Sequence, residues 1–325
     1  MDWRSMSNKT ITKILPFVIL AMCTGFSVLS CGLAASGDRR RPDFDEQTNA
    51  YDKPRIVGEI KSAEITESSG LAASPCQPNV LWTHNDSGDG PYIFAIDSSG
   101  ANLGTWKVQD AVNTDWEDLA PFKDTNGQCF LFIGEIGNTE KAERTEHKVY
   151  RVKEPLVSQQ FANSNRNNAA PTEPADTLTF RYSDASHDAE SLLVHPRTGD
   201  IYILTKHRNK PSSIYQIKPD FSTGGVTVAQ KISEIAVPAI PNGFLTGGSI
   251  SPDGRRVILC DYAAAYELSL PSGAANFDEI WKQKPVAIDL GSRKQGEAIS
   301  YNADGTSIFA TSEKRGSPLI EVKRK

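Results

Sequence analysis

The chain has 325 residues, is 38% apolar and 23% charged, and carries a formal net charge of −5. A mildly acidic chain with no basic excess argues against nucleic acid as its main partner. It contains no Cys-x-x-Cys pair, Gly-x-Ser-x-Gly elbow, His-Glu-x-x-His helix or phosphate-cradling glycine loop, so the commonest zinc, serine-hydrolase and nucleotide chemistries lack their motifs.

At the N-terminus, Arg4, Lys9 and Lys13 outweigh Asp2, residues 14–22 are apolar, and Val28-Leu-Ser-Cys31 follows. A basic start, an apolar centre and a small residue at the processing point make a secretory signal. The Leu-Ser-Cys ending resembles a bacterial lipoprotein box. That resemblance implies a signal peptide over 1–30, a lipidated Cys31 and a place in the cell envelope, at the outer membrane or in the periplasm. An uncleaved anchor over 14–35, or cleavage without lipid, are the alternatives. Residues 31–53 are small, charged and aperiodic, and read as a flexible tether.

Residues 54–60 are strand-like. After them one short motif recurs five times: Glu67-Ser-Ser69-Gly-Leu71, Asp115-Trp-Glu117-Asp-Leu119, Asp188-Ala-Glu190-Ser-Leu192, Thr246-Gly-Gly248-Ser-Ile250 and Gln295-Gly-Glu297-Ala-Ile299. Each copy leads into a turn rich in Pro, Asn, Asp and Gly, which is hairpin chemistry. Beyond the turns lie apolar strands with polar ends, at 81–86, 130–135, 201–206, 257–261 and 308–313. A third strand follows in each unit, and a fourth in the first four, at 105–108, 178–182, 228–232 and 285–290.

Four short strands per repeat predict an all-β fold over 54–325, a single β-propeller of four-stranded blades. Five blades are counted, or six if a degenerate one lies within 218–245. The fifth unit lacks its last strand, so the N-terminal strand is expected to complete that blade and leave no long unpaired edge. Residues 156–177, poor in large apolar side chains, read as a mobile loop inserted in one blade. Cys76 and Cys129 fall beside first-hairpin turns of neighbouring blades, on one face. A disulfide between them suits an oxidising compartment, and geometry has to decide it. Cys260 reads as a buried free thiol.

The chain enters each first strand, and passes from second to third, at the face opposite those hairpin turns. There Ser69, Glu117, Glu190, Gly248 and Glu297 stand in register on the innermost strands and should point to one axis. Carboxylates so placed repel and raise one another's pKa unless a cation sits among them. Calcium suits a roomy ring of oxygen ligands better than magnesium does. The plainer alternative is an acidic cap paired with water and with Lys206 or Lys314.

These strand starts, together with Gly134-Glu-Ile-Gly-Asn138, resemble those of the five-bladed calcium-activated nucleotidases (apyrases), which hold one central calcium with Ser and Glu side chains. The resemblance implies Ser69, Glu117, Glu190 and Glu297 as metal ligands. In the fourth unit Gly248 holds the ring position, and Ser249, one residue later, is the candidate. The fuller set of motifs at 82–88, 115–120 and 188–190 is similar to secreted bacterial propellers of phytase-like or esterase-like type.

Two functions follow as expectations. One is a calcium-dependent hydrolase of phosphate esters or anhydrides, in which Asp86, Asp115 or Glu135 takes a proton from water while Lys206 and His207 offset developing charge. His84, Asn85, Asn138, Arg208, Asp261 and Lys314 would line its substrate site. The other is a non-catalytic cell-surface propeller with a structural calcium that binds a glycan, peptide or protein, with Trp82, Trp116 and Tyr262 as stacking platforms. Either way the expected protein is a monomer that meets an anionic small molecule or a cell-envelope partner and touches membrane only through its lipidated N-terminus.

Overall fold

The structure is a computed structural model that describes residues 50–138, 144–207, 210–237 and 244–325. The signal, Cys31, most of the tether and Arg208 lie outside the described residues. The described chain is almost entirely β, with two short 3₁₀ turns, Gln159–Phe161 and Phe277–Lys282.

Its strands form antiparallel meanders. The first is β2 (Ser68–Ala73), β3 (Leu81–Asn85), β4 (Tyr92–Ile96) and β5 (Asn102–Gln109), with β9 (Ala170–Pro174) added parallel to β5. The second is β6 (Trp116–Lys123), β7 (Cys129–Glu135), β8 (His147–Lys153) and β10 (Asp176–Tyr182). The third is β11 (Ala189–Val194), β12 (Ile201–Thr205), β13 (Ser212–Ile217) and β14 (Val226–Ile235). Outer strands β10 and β14 pair in parallel, so these two meanders merge into one eight-stranded sheet whose end strands, β6 and β11, lie against each other. The fourth meander is β15 (Gly247–Ile250), β16 (Arg256–Cys260), β17 (Ala264–Ser269) and β18 (Val286–Asp289). In the last, β19 (Gly296–Tyr301), β20 (Ser307–Ser312) and β21 (Pro318–Lys323) are completed by β1 (Arg55–Glu59), which pairs antiparallel with β21.

First strands β2, β6, β11, β15 and β19 pack side by side in that order, and β19 returns to β2. Five apolar clusters fill the spaces between successive meanders, one of them built on Trp82, Trp106 and Trp116 and another on Tyr202, Tyr266 and Trp281. The fold is therefore all-β and propeller-like. Its hairpin turns follow from local chemistry: in Ser251-Pro-Asp-Gly254 the Asp253 side chain accepts the Arg255 N–H at 3.0 Å, and Gly254 takes the positive φ of 67° that a side chain resists.

Three expectations are corrected or decided here. Residues 156–177 are not a free loop. Phe161 packs on the Trp106 ring at 5.1 Å, Ser164 Oγ accepts the Thr105 N–H at 2.7 Å, Arg166 pairs with Asp89 at 2.6 Å, and the segment ends in β9. Composition hid this because these anchors are single residues scattered among polar ones. Residues 226–235 form the outer strand of the third meander, so among the described residues 218–245 holds no sixth unit. Cys76 and Cys129 are joined, with Cα atoms 6.2 Å apart, which ties the β2–β3 turn to the start of β7; Cys260 is buried and free.

Cross-linking residues this far apart in sequence removes about 4 kcal/mol of chain entropy from the unfolded state. A Cys76→Ser, Cys129→Ser variant is expected to lose unfolding free energy of that order, read as a lower denaturant midpoint at unchanged slope. An unchanged midpoint would show that the bridge contributes nothing.

Candidate metal centre

Four of the five inner strands share an irregularity. The pairing of β2 with β3 slips by one residue at Ser69, that of β6 with β7 at Glu117, that of β11 with β12 at Glu190, and that of β19 with β20 within Glu297–Ala298. In each, one extra residue stands on the inner strand, the pattern of a β-bulge, which re-aims a side chain. Strand β15 pairs with β16 in unbroken register and has Gly248 at that place. Where the acid or hydroxyl is absent, so is the bulge.

The bulged glutamates meet aspartates from the adjoining loops. Oxygens of Asp86, Asp115 and Glu117 lie within 4.8 Å of one another, as do those of Glu117, Asp188 and Glu190. Gly137 makes this convergence possible: a Cβ there would sit 2.1 Å from Glu117 Oε1 and 2.6 Å from Asp115 Oδ2. A second layer holds the strand start in place. Glu135 accepts the N–H groups of Thr114 at 2.9 Å and Asp115 at 3.1 Å, and Arg144 pairs with the Glu135 carboxylate and with the Gly137 carbonyl. The Asn138 N–H donates to Asp188 at 2.9 Å. Lys206 donates to Glu190 at 2.6 Å, and its ammonium lies 4.8 Å from the Phe244 ring and 5.7 Å from that of Tyr262.

Charge is poorly compensated here. Burial, and then Glu190, Asp86 and Asp115, push the Glu117 carboxyl well above the usual range. Glu190 is raised by burial against the pull of Lys206, and Glu297 by burial and then by Glu190 and Glu313. Burial and Asp86 raise Asp115 to about 6. Glu297 is only 4% exposed, and its Oε2 has no hydrogen-bond partner among the described residues. Acidic clusters of this geometry can hold a metal ion.

Not every residue singled out from sequence joins this set. The buried Ser69 hydroxyl donates to the Glu117 carbonyl at 2.6 Å. Ser249 faces the other way: it lines a cavity of about 310 Å³ at the hairpin-turn mouth of the channel, beside Ala73, Val194 and Tyr301. Successive strand residues alternate sides, so the neighbour of ring residue Gly248 cannot point where Gly248 points. His84 is fully buried edge-on to Trp116, at 5.6 Å between ring centres. Asn85 spends its side chain on Thr66, Glu67, Glu64 and Asp89, which ties a loop. Asp261 caps its own turn through Ala263, Ala264 and Tyr266. Lys314 is an exposed turn residue with φ of 84°. His207 lies 5.9 Å from His187 on the outer part of the third meander, and burial with nearby Lys210 lowers its pKa to about 4. Trp82 and Trp116 are fully buried and cannot serve as stacking platforms.

Sequence reasoning missed the role of Asp118. It is fully buried and accepts the N–H groups of Leu119 at 2.9 Å, Leu192 at 3.0 Å and Gly248 at 3.3 Å, so one carboxylate from β6 reaches both β11 and β15. The available signal was a second acid, Asp118, directly after the recurring Glu117 and just before apolar Leu119 and Ala120. The closeness of Gly137 and the second-layer place of Glu135 had no signal in spacing.

No protein-family model and no curated protein matches the chain. Among solved structures, it is similar to a luciferin-regenerating enzyme at 10% identity, with a TM-score of 0.42, over 82% of this chain and 94% of that one.

The raised carboxyl groups fix the sign of a pH effect. An acid whose folded pKa exceeds its unfolded one binds more protons when folded, so stability is lost as pH rises through that window, from the ordinary range near 4 upward past 6. In chelator, the melting temperature is expected to fall by several degrees from about pH 5 to about pH 8. Glu297→Gln, which removes one buried charge, should flatten that slope; a slope equal to that of the native chain would show that Glu297 takes no part.

Proposed function

We propose that the chain is a five-bladed β-propeller that binds calcium at the mouth of its central channel and hydrolyses a phosphate ester or phosphoanhydride there. The observation that carries this is the convergence of Glu117 and Glu190 with Asp86, Asp115 and Asp188, beside the Lys206 ammonium and within the electrostatic reach of the buried Glu297. Such a concentration of buried like charge is costly for a folded protein unless a cation joins it. A flexible set of carboxylates from separate strands and loops suits calcium, which tolerates irregular coordination, better than magnesium. The likeness of the strand starts to those of calcium-activated nucleotidases supports the same reading, as does the cyclic packing of the inner strands.

Glu117, Glu190 and Glu297 are the groups that would hold the ion. A bound calcium supplies charge stabilisation for a phosphoryl oxygen and a lower pKa for water. The remaining chemistry belongs to the chain. Asp115, with one oxygen against Gly137, is placed to accept a proton from water at the same spot. The Lys206 ammonium, between Glu190 and the Phe244 and Tyr262 rings, is placed to attract an anionic substrate. Arg144 and Glu135 act as positioning residues. Within the same proposal, the signal peptide 1–30 carries the protein to the cell envelope, a lipidated Cys31 anchors it there, and 31–53 form the tether.

The test is thermal unfolding with calcium, magnesium or chelator, followed by a screen of phosphate esters and nucleotides. Calcium is expected to raise the melting temperature more than magnesium does, and Glu117→Gln, Glu190→Gln to abolish the rise. Asp115→Asn is expected to lower kcat by about 10²-fold or more. No calcium shift would remove the metal and the hydrolase with it. A shift without turnover would leave a propeller that binds a partner around a structural ion.

A further inference from the structure

We propose that the cavity at the hairpin-turn mouth of the channel binds a small uncharged aromatic molecule that carries one hydrogen-bond acceptor. This site lies at the opposite end of the channel from the acidic cluster, shares no residue with it and needs no metal.

Every meander contributes to the wall. Four inner strands end there, in Ala73, Val194, Ile250 and Tyr301, and β6 supplies Pro121. Pro75, Pro196 and Pro252 each stand two residues past one of those ends, and Ala303 takes the same place in the last turn. Proline has a fixed φ and no N–H, so these positions make a rigid wall without donors. The Phe122 and Tyr301 rings and the pyrrolidine rings give it flat apolar faces. The volume of about 310 Å³ equals that of about ten waters in the liquid, room for one aromatic ring with a small substituent.

Most polar groups of the wall are already engaged. The Ala73 N–H donates to Ser300 Oγ at 3.3 Å, and the Tyr301 phenol turns away to Glu267 at 2.6 Å. Asp124 accepts the N–H groups of Asn126 at 2.9 Å and Gln128 at 2.8 Å, while Asn302 bonds Ser307 and Thr306 within its own turn. Ser249 is the exception. It is 6% exposed, its Oγ accepts the Tyr301 N–H at 3.5 Å, and its hydroxyl proton has no acceptor among the described residues. An apolar enclosure with one convergent donor is the arrangement of a small-molecule site: the walls supply burial and the donor fixes orientation. Lys123 and Asp124 bring one charge of each sign to the lining, so neither sign of ligand is selected, and a charged ligand would lose its hydration among proline and aliphatic side chains. That chemistry favours an uncharged occupant.

Acetophenone is the probe, and benzoate, of the same size, is its anionic counterpart. Calorimetric titration and saturation-transfer NMR on the purified protein in chelator make the result independent of any cation at the other mouth. Acetophenone is expected to bind, about tenfold or more tightly than benzoate. Ser249→Ala is expected to weaken it about fivefold. Ala303→Trp, a substitution at an exposed turn residue, is expected to block the mouth and abolish binding while leaving the melting temperature unchanged. No binding of acetophenone, or binding that Ala303→Trp leaves intact, overturns the site. Equal binding of benzoate overturns the uncharged class, and unchanged affinity in Ser249→Ala overturns the hydroxyl as its donor.

Discussion

The inner edges of β2, β6, β11, β15 and β19 face a channel in which no further strand can pair with them. Their backbone groups still need partners, because an unpaired buried N–H or C=O costs about as much as a lost hydrogen bond. Side chains supply those partners around the axis. Ser69 donates to the Glu117 carbonyl, Thr246 to the Gly296 carbonyl at 3.0 Å, and the Cys260 thiol to the Glu297 carbonyl at 2.9 Å. Asp118 accepts from Leu192 and Gly248. Toward the other mouth, Ser300 Oγ accepts the Ala73 N–H at 3.3 Å. Small polar residues are thus needed at the centre of a molecule whose other cores are apolar.

That constraint explains what the sequence shows and what it hides. Period, turn chemistry and the missing fifth-unit strand are properties of single segments, and from them the meanders and the pairing of β1 with β21 can be read. The bulges at Ser69, Glu117 and Glu190 exist only relative to a partner strand, so no one-segment pattern reveals them. The recurring acid marked their positions without revealing their cause. Ser249 illustrates the limit: one-residue alignment freedom made it a candidate, while strand alternation sends it to the opposite mouth. His84 and Asn85 follow the same logic, since polar residues at a strand end mark a surface only when no loop covers them, and here Thr66, Glu67 and Asn113 do so.

The closing latch obeys a related rule. Tyr51 and Tyr301 both donate to Glu267, and Arg256 lies 3.9 Å from the same carboxylate and 5.2 Å from the Tyr301 ring. Residues just before β1, the fourth meander and the fifth are thereby joined at one buried acid. Burial and Glu267 raise the Tyr301 phenol far above its usual pKa, so it remains a donor over the working pH range. The Glu267 carboxylate at this latch has two phenol donors and a nearby guanidinium, and it serves closure.

The channel mouth differs in this respect, and the difference separates structure from function. Glu267 and Asp118 are each matched by several donors, whereas Glu297 has an orphan oxygen and Glu117 faces Asp86, Asp115 and Glu190. A fold that needed only closure would be more stable with glutamine at those bulges, because neutral amides neither repel nor lose as much solvation. Natural sequences depart from such local consistency chiefly at functional sites. Bulges at three glutamates, a glycine that makes room for the oxygens of Glu117 and Asp115, and an Arg144–Glu135 layer that fixes Asp115 all work against stability and toward one arrangement of oxygen atoms. Among the described residues, a bound cation is the partner that would convert this arrangement from a cost into an interaction.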